Sequence, residues 1–271
     1  MLVSSLVVLL GVYAAGVGRV WRNAGYGRGI RPLEALAFAC GWLVLALALS
    51  PPMDEWSDRW MAAHMVQHEL LMVVAAPLVA ISAPLLAVLW AFPSAIRRRA
   101  LDAVRRQPLV AGWSLLTSPL AAFLLHAVAL WVWHLPVLYD YALEHEGVHV
   151  LQHVCFFSTA ALFWWGIAHG RYGRAGYGAA AVYVFATALH GGALGALLTF
   201  SPRVLYVPYL VDHPDGLTPL EDQQLAGLLM WVPAGLVFVG GGLVLFAAWL
   251  RQSDRRSRFP STPSLRSRQD Q

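Results

Sequence analysis

Residues 61–72 read Met-Ala-Ala-His-Met-Val-Gln-His-Glu-Leu-Leu-Met. On an α-helix, positions four apart are separated by about 40° around the axis and about 6 Å along it. His64 and His68 therefore project from one face, and Met61, Met65 and Met72 fall on or beside it. Imidazole with thioether is a donor set for a soft or borderline metal ion, copper above all. Zinc fits less well, because structural zinc recruits cysteine and catalytic zinc often adds a carboxylate. Cys40 and Cys155 lie in separate apolar segments without CxxC spacing and read as small buried hydrophobes. The first motif has an echo: His-Met-Val-Gln-His at 64–68 is matched by His-Val-Leu-Gln-His at 149–153.

The elements that must hold these rings are set by composition. Hydrophobic residues make up 58% of the 271 positions and charged residues 13%, whereas soluble domains carry about 25% charge. The chain reads as an all-α integral membrane protein. Seven apolar segments stand out, at about 2–18, 33–50, 61–92, 109–134, 147–168, 177–200 and 223–250, each near the length of a membrane-crossing helix. The basic residues, all arginine, sort by side. Arg19, Arg22, Arg28 and Arg31 follow the first segment, Arg97, Arg98, Arg99, Arg105 and Arg106 the third, Arg171 and Arg174 the fifth, and Arg251, Arg255, Arg256 and Arg258 the last. The alternate loops hold Arg59 and Arg203 among many acids. This bias predicts seven spans with the N-terminus outside and the C-terminus inside. It also explains the net charge of +4 without a nucleic-acid partner. A seven-helix domain over 1–250 is expected, followed by a disordered basic cytoplasmic tail over 251–271.

This topology places the histidines by depth. The third and fifth spans both run inward, so His64, His68, His149 and His153 share one level near the outer surface, where His134 ends the fourth span. His190 lies near or above the middle of the sixth span, close by, His126 lower in the fourth, His145 and His213 in outer loops, and His169 on the inner side. Imidazoles at membrane depth are costly unless paired or bound to metal, so His64, His68, His149 and His153 are the expected ligands, with His134 and His190 next. Gln67, Glu69 and Gln152 stand beside the ligand positions and either orient imidazole N–H groups or make ordinary interhelical hydrogen bonds; Asp222 presents an acid at the corresponding level. Met61, Met65 and Met72 either pack between helices, as a methionine stripe at helical spacing more often does, or form a lower-affinity way in for metal.

Two other readings compete. Facing histidines also ligate haem in membrane bundles, which would make the chain a haem-binding electron carrier. An intramembrane metal hydrolase would use an acid such as Glu69 or Asp222 as general base; His68-Glu69 is not followed by a histidine at the His-Glu-x-x-His step, whereas His145-Glu146-Gly147-Val148-His149 has that spacing.

The motifs also carry a resemblance. His-Met-Val-Gln-His at 64–68 followed by Leu-Leu-Met, Ala-Pro at 76–77 and 83–84, Trp-His-Leu-Pro at 133–136, Leu-Tyr-Asp at 138–140, the histidine pair at 149–153 and Asp-Gln-Gln-Leu-Ala-Gly-Leu-Leu-Met-Trp at 222–231 together resemble the CtaG family of cytochrome c oxidase assembly factors. The resemblance spans the third to the seventh segment. It implies a non-enzymatic maturation role at the bacterial plasma membrane, with copper supplied to oxidase subunits and an extracytoplasmic copper chaperone as a further partner. The single-span, cysteine-bearing copper chaperone that sometimes shares the family name is a different protein, and its cysteine motif is missing here.

Overall fold

Proline punctuates this chain. Pro32, Pro84, Pro119, Pro136, Pro208 and Pro219 each open a helix, at the position where the missing N–H has no intrahelical partner to lose. The computed structural model describes residues 2–170, 176–211 and 216–258. Among them every regular element is helical: α1 (Leu2–Ala24), α2 (Pro32–Ala48), α3 (Met53–Arg59), α4 (Met61–Glu69), a π-helical turn (Leu70–Ala75), α5 (Ala76–Ile81), α6 (Pro84–Ala91), α7 (Ser94–Val104), α8 (Gln107–Leu116), α9 (Pro119–Trp133), α10 (Pro136–Glu144), α11 (Glu146–Ala168), α12 (Gly176–Thr199), α13 (Pro208–Val211) and α14 (Pro219–Arg258).

Five stretches are long and apolar enough to cross a bilayer unaided: Ser4–Ala24, Met61–Ile81, Glu146–Ala168, Gly176–Thr199 and Pro219–Asp254. Two bent pairs, α2 with α3 (46°) and α8 with α9 (61°), bring the count to seven when each pair is one crossing. The surface agrees with a lipid environment. Leu43, Val182, Phe185 and Leu236 are exposed, while His64, Gln67, Gln152 and Asp222 are buried. This inversion of the soluble pattern marks a membrane protein.

Three expected boundaries move. The segment drawn over 61–92 is not one helix. It stops at Ile81, turns through Ala83 at φ 52°, and restarts as α6, which folds back against α1. Tyr13 of α1 donates its hydroxyl to the Ser82 carbonyl at the break (2.7 Å), and Arg19 caps the other end of α6 at Ala91. The segment drawn over 109–134 is divided at Thr117 and Ser118 into α8 and α9. The last helix continues past 250 to Arg258, so residues 251–258 are helical. Residues 259–271 lie outside the described residues, as do Arg171, Arg174 and His213.

The π turn has a local cause. Ala76 N–H bonds to Leu71 O, one residue further back than in an α-helix, and Pro77 has no N–H to offer. Met72 O is thereby deprived of both helical donors. The Trp164 indole of α11 takes it instead (3.1 Å). Such turns interrupt α-helices mostly at functional positions, and this one follows His68 directly.

Close packing elsewhere depends on small residues, as is usual between membrane helices. α12 and α14 cross at Gly195 and Gly227, where a Cβ on Gly227 would lie 2.6 Å from Gly195 O. α4 packs on α14, α11 on α5 and α9, and α2 on α5 and the π turn.

Candidate metal centre

Five of the six predicted ligands converge where α4 and α11 begin and α9 ends. Ring centroids are 4.3 Å apart for His64 and His68, 5.0 Å for His64 and His149, 4.4 Å for His149 and His153, 5.2 Å for His68 and His153, and 6.0 Å for His68 and His134. One ring nitrogen from each of His64, His149 and His153 lies within 4.8 Å of the others. Three nitrogens sharing one ion at a metal–nitrogen distance near 2.1 Å stand about 3.4–3.6 Å apart. Closing these three rings onto an ion therefore takes side-chain movements of up to about an ångström.

Hydrogen bonds select which nitrogen is free. His134 Nδ1 donates to Leu130 O at 2.7 Å, one turn back along α9, leaving buried Nε2 without a partner. His64 Nδ1 contacts the Tyr209 hydroxyl at 2.9 Å. That hydroxyl gives its own proton to Ser57 O (3.2 Å), so it accepts from Nδ1–H and leaves Nε2 with the lone pair. His64 Nε2 then accepts from His68 Nε2 at 2.9 Å, a proton that an ion would displace. The buried Nε2 atoms of His149 and His153 have no protein partner. Fixing one imidazole nitrogen as a donor so that the other can ligate is how metal-site histidines are oriented.

The sixth ligand does not join them. His190 on α12 packs its ring edge against Phe123 at 5.6 Å, in the neighbourhood of His126, and both its nitrogens are buried and unpartnered. Span depth placed it near the right level, but the helix face turns it to another part of the interior.

Of the two roles open to the glutamines, the structure shows the interhelical one. Gln67 and Gln152 are each the seventh residue of their helices, α4 and α11. Gln67 donates to Ala48 O at 2.8 Å and Gln152 to Trp133 O at 3.5 Å. Ala48 and Trp133 end α2 and α9, whose terminal carbonyls have no helical donor. In the third hairpin, Gln223 and Gln224 reach Arg203 O (3.1 Å) and Ser201 O (3.4 Å) just beyond α12. Each entering helix is thus tied by an amide to the end of the one that leaves, with a short helix (α3, α10 or α13) between them. Asp222 does not meet an imidazole; it accepts Met61 N–H at 2.7 Å and Ala62 N–H at 3.1 Å. Glu69 lies on a different face from the cluster, with its buried Oε2 unpartnered. Met61 and Met65 are fully buried core residues rather than an open path, and Met72 lies deeper.

Sequence reasoning missed the tyrosines. Tyr209 orients His64, Tyr206 donates to His134 O at 2.9 Å, and Tyr139 packs against both with tilted rings, its centroid 4.1 Å from that of Tyr206. The signal was Tyr-Val-Pro-Tyr-Leu at 206–210, an aromatic, apolar run in an otherwise polar loop. Phe156 closes the cluster from below, 4.7 Å from His68. Acids mark the approach: Asp54 and Asp58 lie within electrostatic reach of His149, and clefts of one sign concentrate the opposite ion. On α10, burial pushes the Asp140 carboxyl above its ordinary value, opposed by the Val207 N–H.

Comparison with known proteins agrees with the motifs. No curated protein and no solved structure gives a significant match. The family model for the cytochrome c oxidase caa3 assembly factor matches residues 11–252, a stretch that contains every member of the imidazole cluster. With most of its length covered, the chain belongs to the family of cytochrome c oxidase caa3 assembly factors.

Proposed function

We propose that the imidazole cluster binds copper and that the chain passes this ion to an oxidase subunit during assembly. The observation that carries the reading is the convergence of nitrogens from His64, His149 and His153 within 4.8 Å of one another, with His68 and His134 alongside. An all-imidazole set beside buried thioethers suits copper. The arginine bias supports a position for the cluster in the outer half of the bacterial plasma membrane, on the side from which an extracytoplasmic copper chaperone would load it. Asp54 and Asp58 would draw the cation in. No step in this role requires bond chemistry on a substrate, so the chain acts as a carrier rather than an enzyme.

Ring spacing favours a bare ion over haem. His64 and His149 stand 5.0 Å apart, and two imidazoles on opposite faces of one iron, each nitrogen about 2.0 Å from the metal, would need centroids separated by more than about 6 Å. A broad slot for the macrocycle would also be required. Copper measured in the purified protein and in a His64→Ala/His149→Ala variant tests the proposal. Copper lost from the folded variant, with no Soret band in the wild type, is expected. Equal copper in both proteins overturns the reading.

A further inference from the structure

Below the cluster lies a second set of unused polar groups. A small internal cavity of about 30 Å³ is lined by Glu69, Met72, His126, Thr187, Met230 and Trp231, with apolar residues and glycines completing its wall. The donors come from α4, the π turn, α9, α12 and α14. Glu69 Oε2 and Trp231 Nε1 are buried without a hydrogen-bond partner. His126 uses Nδ1 on Thr159 (3.3 Å). Thr187 is occupied with Tyr183 O at 2.8 Å. Met72 and Met230 are 4% exposed, and both line this one void.

A cavity of this size holds one small species and no organic ligand. Two thioethers are soft donors and an imidazole is a borderline one, and among the common biological metals this set favours monovalent copper. The single carboxylate supplies one negative charge, as much as a monovalent ion needs in a medium where an unpaired charge is costly. Position matters as much as composition. Met72 is one helical turn beyond His68, about 6 Å along the axis, and His126 is two turns below His134, about 12 Å. The cavity therefore lies deeper in the bundle than the cluster, below His68 on one helix and below His134 on another.

We infer that this cavity is a second, deeper binding site for Cu(I), held by Met72, Met230 and His126 with Glu69 balancing the charge. It shares with the proposed function the premise that the chain handles copper, but none of its ligands. A bridging water between Glu69 and Trp231 is the rival occupant.

Cu(I) alone, titrated into the purified chain against a chromogenic chelator, together with copper X-ray absorption, decides between them. The wild type is expected to bind two equivalents with a copper–sulfur shell in the absorption spectrum. Met72→Leu/Met230→Leu, a volume-conserving change that cores tolerate, should keep one equivalent and lose the sulfur shell. His64→Ala/His149→Ala should also keep one, but with sulfur retained. Two equivalents in the methionine variant, or a wild-type spectrum without sulfur, overturns the inference and leaves the cavity to water. Should the histidine variant keep all its copper while the methionine variant loses one equivalent, the deeper site stands and the imidazole-cluster reading fails.

Discussion

The carboxylate of Asp222 receives the backbone N–H of Met61 at 2.7 Å, across 161 residues of sequence, and so pins the first turn of the helix that carries His64 and His68. Its other oxygen takes Ala62 N–H at 3.1 Å. Two of the four orphan donors of a helix start are satisfied by one buried anion, which also meets the positive end of the helix dipole. Because α4 begins at Trp60–Met61 with no side-chain cap of its own, the position of its histidines depends on α14.

Asp222→Ala leaves those two N–H groups unpartnered in the interior. The expected loss is about 1–3 kcal/mol, or about 2–4 °C in melting temperature for each kcal/mol. Copper affinity should fall with it, since His64 loses its reference point. Asp222→Asn, which keeps one acceptor, should recover part of both. Thermal melts in detergent, paired with copper titration, measure the two effects, and an unchanged melt for Asp222→Ala would remove the capping role.

Tyr209→Phe removes the acceptor that holds His64 Nδ1–H. The ring is then free to turn, and loss of such an outer partner typically lowers metal affinity about 10–100-fold. Helix content should be unaffected. Copper titration reads the change directly, and wild-type affinity in this variant would show that Tyr209 does not orient the ligand.

Gln67→Leu and Gln152→Leu separate scaffold from site. Gln67→Leu deletes bonds to Ala48 O and Asp54 Oδ1 and Gln152→Leu the one to Trp133 O, each worth about 0.6–1.7 kcal/mol in a membrane protein. Melting temperature should drop while copper stoichiometry stays the same. Copper lost at an unchanged melting temperature would return these amides to the metal's surroundings.

The α12–α14 crossing predicts a contrast between two glycines of one helix. A methyl group on Gly227 would lie 2.4 Å from Thr199 Oγ1 and 2.6 Å from Gly195 O, whereas Gly240 has nothing within 4 Å. Gly227→Ala must push the helices apart and should cost about 1–3 kcal/mol. Gly240→Ala should be neutral or slightly stabilising. Yield and melting temperature of the two variants provide the comparison.

Much of this protein could be read from residue order alone. Apolar length and sparse charge are local properties that the bilayer acts on directly, so they announced a membrane bundle. The spacing of His64 with His68 and of His149 with His153 follows from helical geometry, which needs no partner to define it, and the two pairs do meet. His134 joined them because a helix end at the same depth leaves few other places for it. The family could also be read, from motifs spread over most of the chain.

Tertiary structure decided what depends on rotation and contact. Depth put His190 level with the ligands, but the face of α12 that packs inward turns it toward Phe123 and His126. Gln67 and Gln152 sit beside histidines in sequence yet point to the carbonyl ends of α2 and α9, because a buried helix terminus is the stronger claim on an amide. Asp222 goes to the N-terminus of α4 for the same reason. The break at Ser82–Ala83, the π turn ahead of Pro77 and the Tyr209 link to His64 all arise from hydrogen bonds whose partners are remote in the chain. No local pattern encodes those partners, and only the packed bundle brings them within reach.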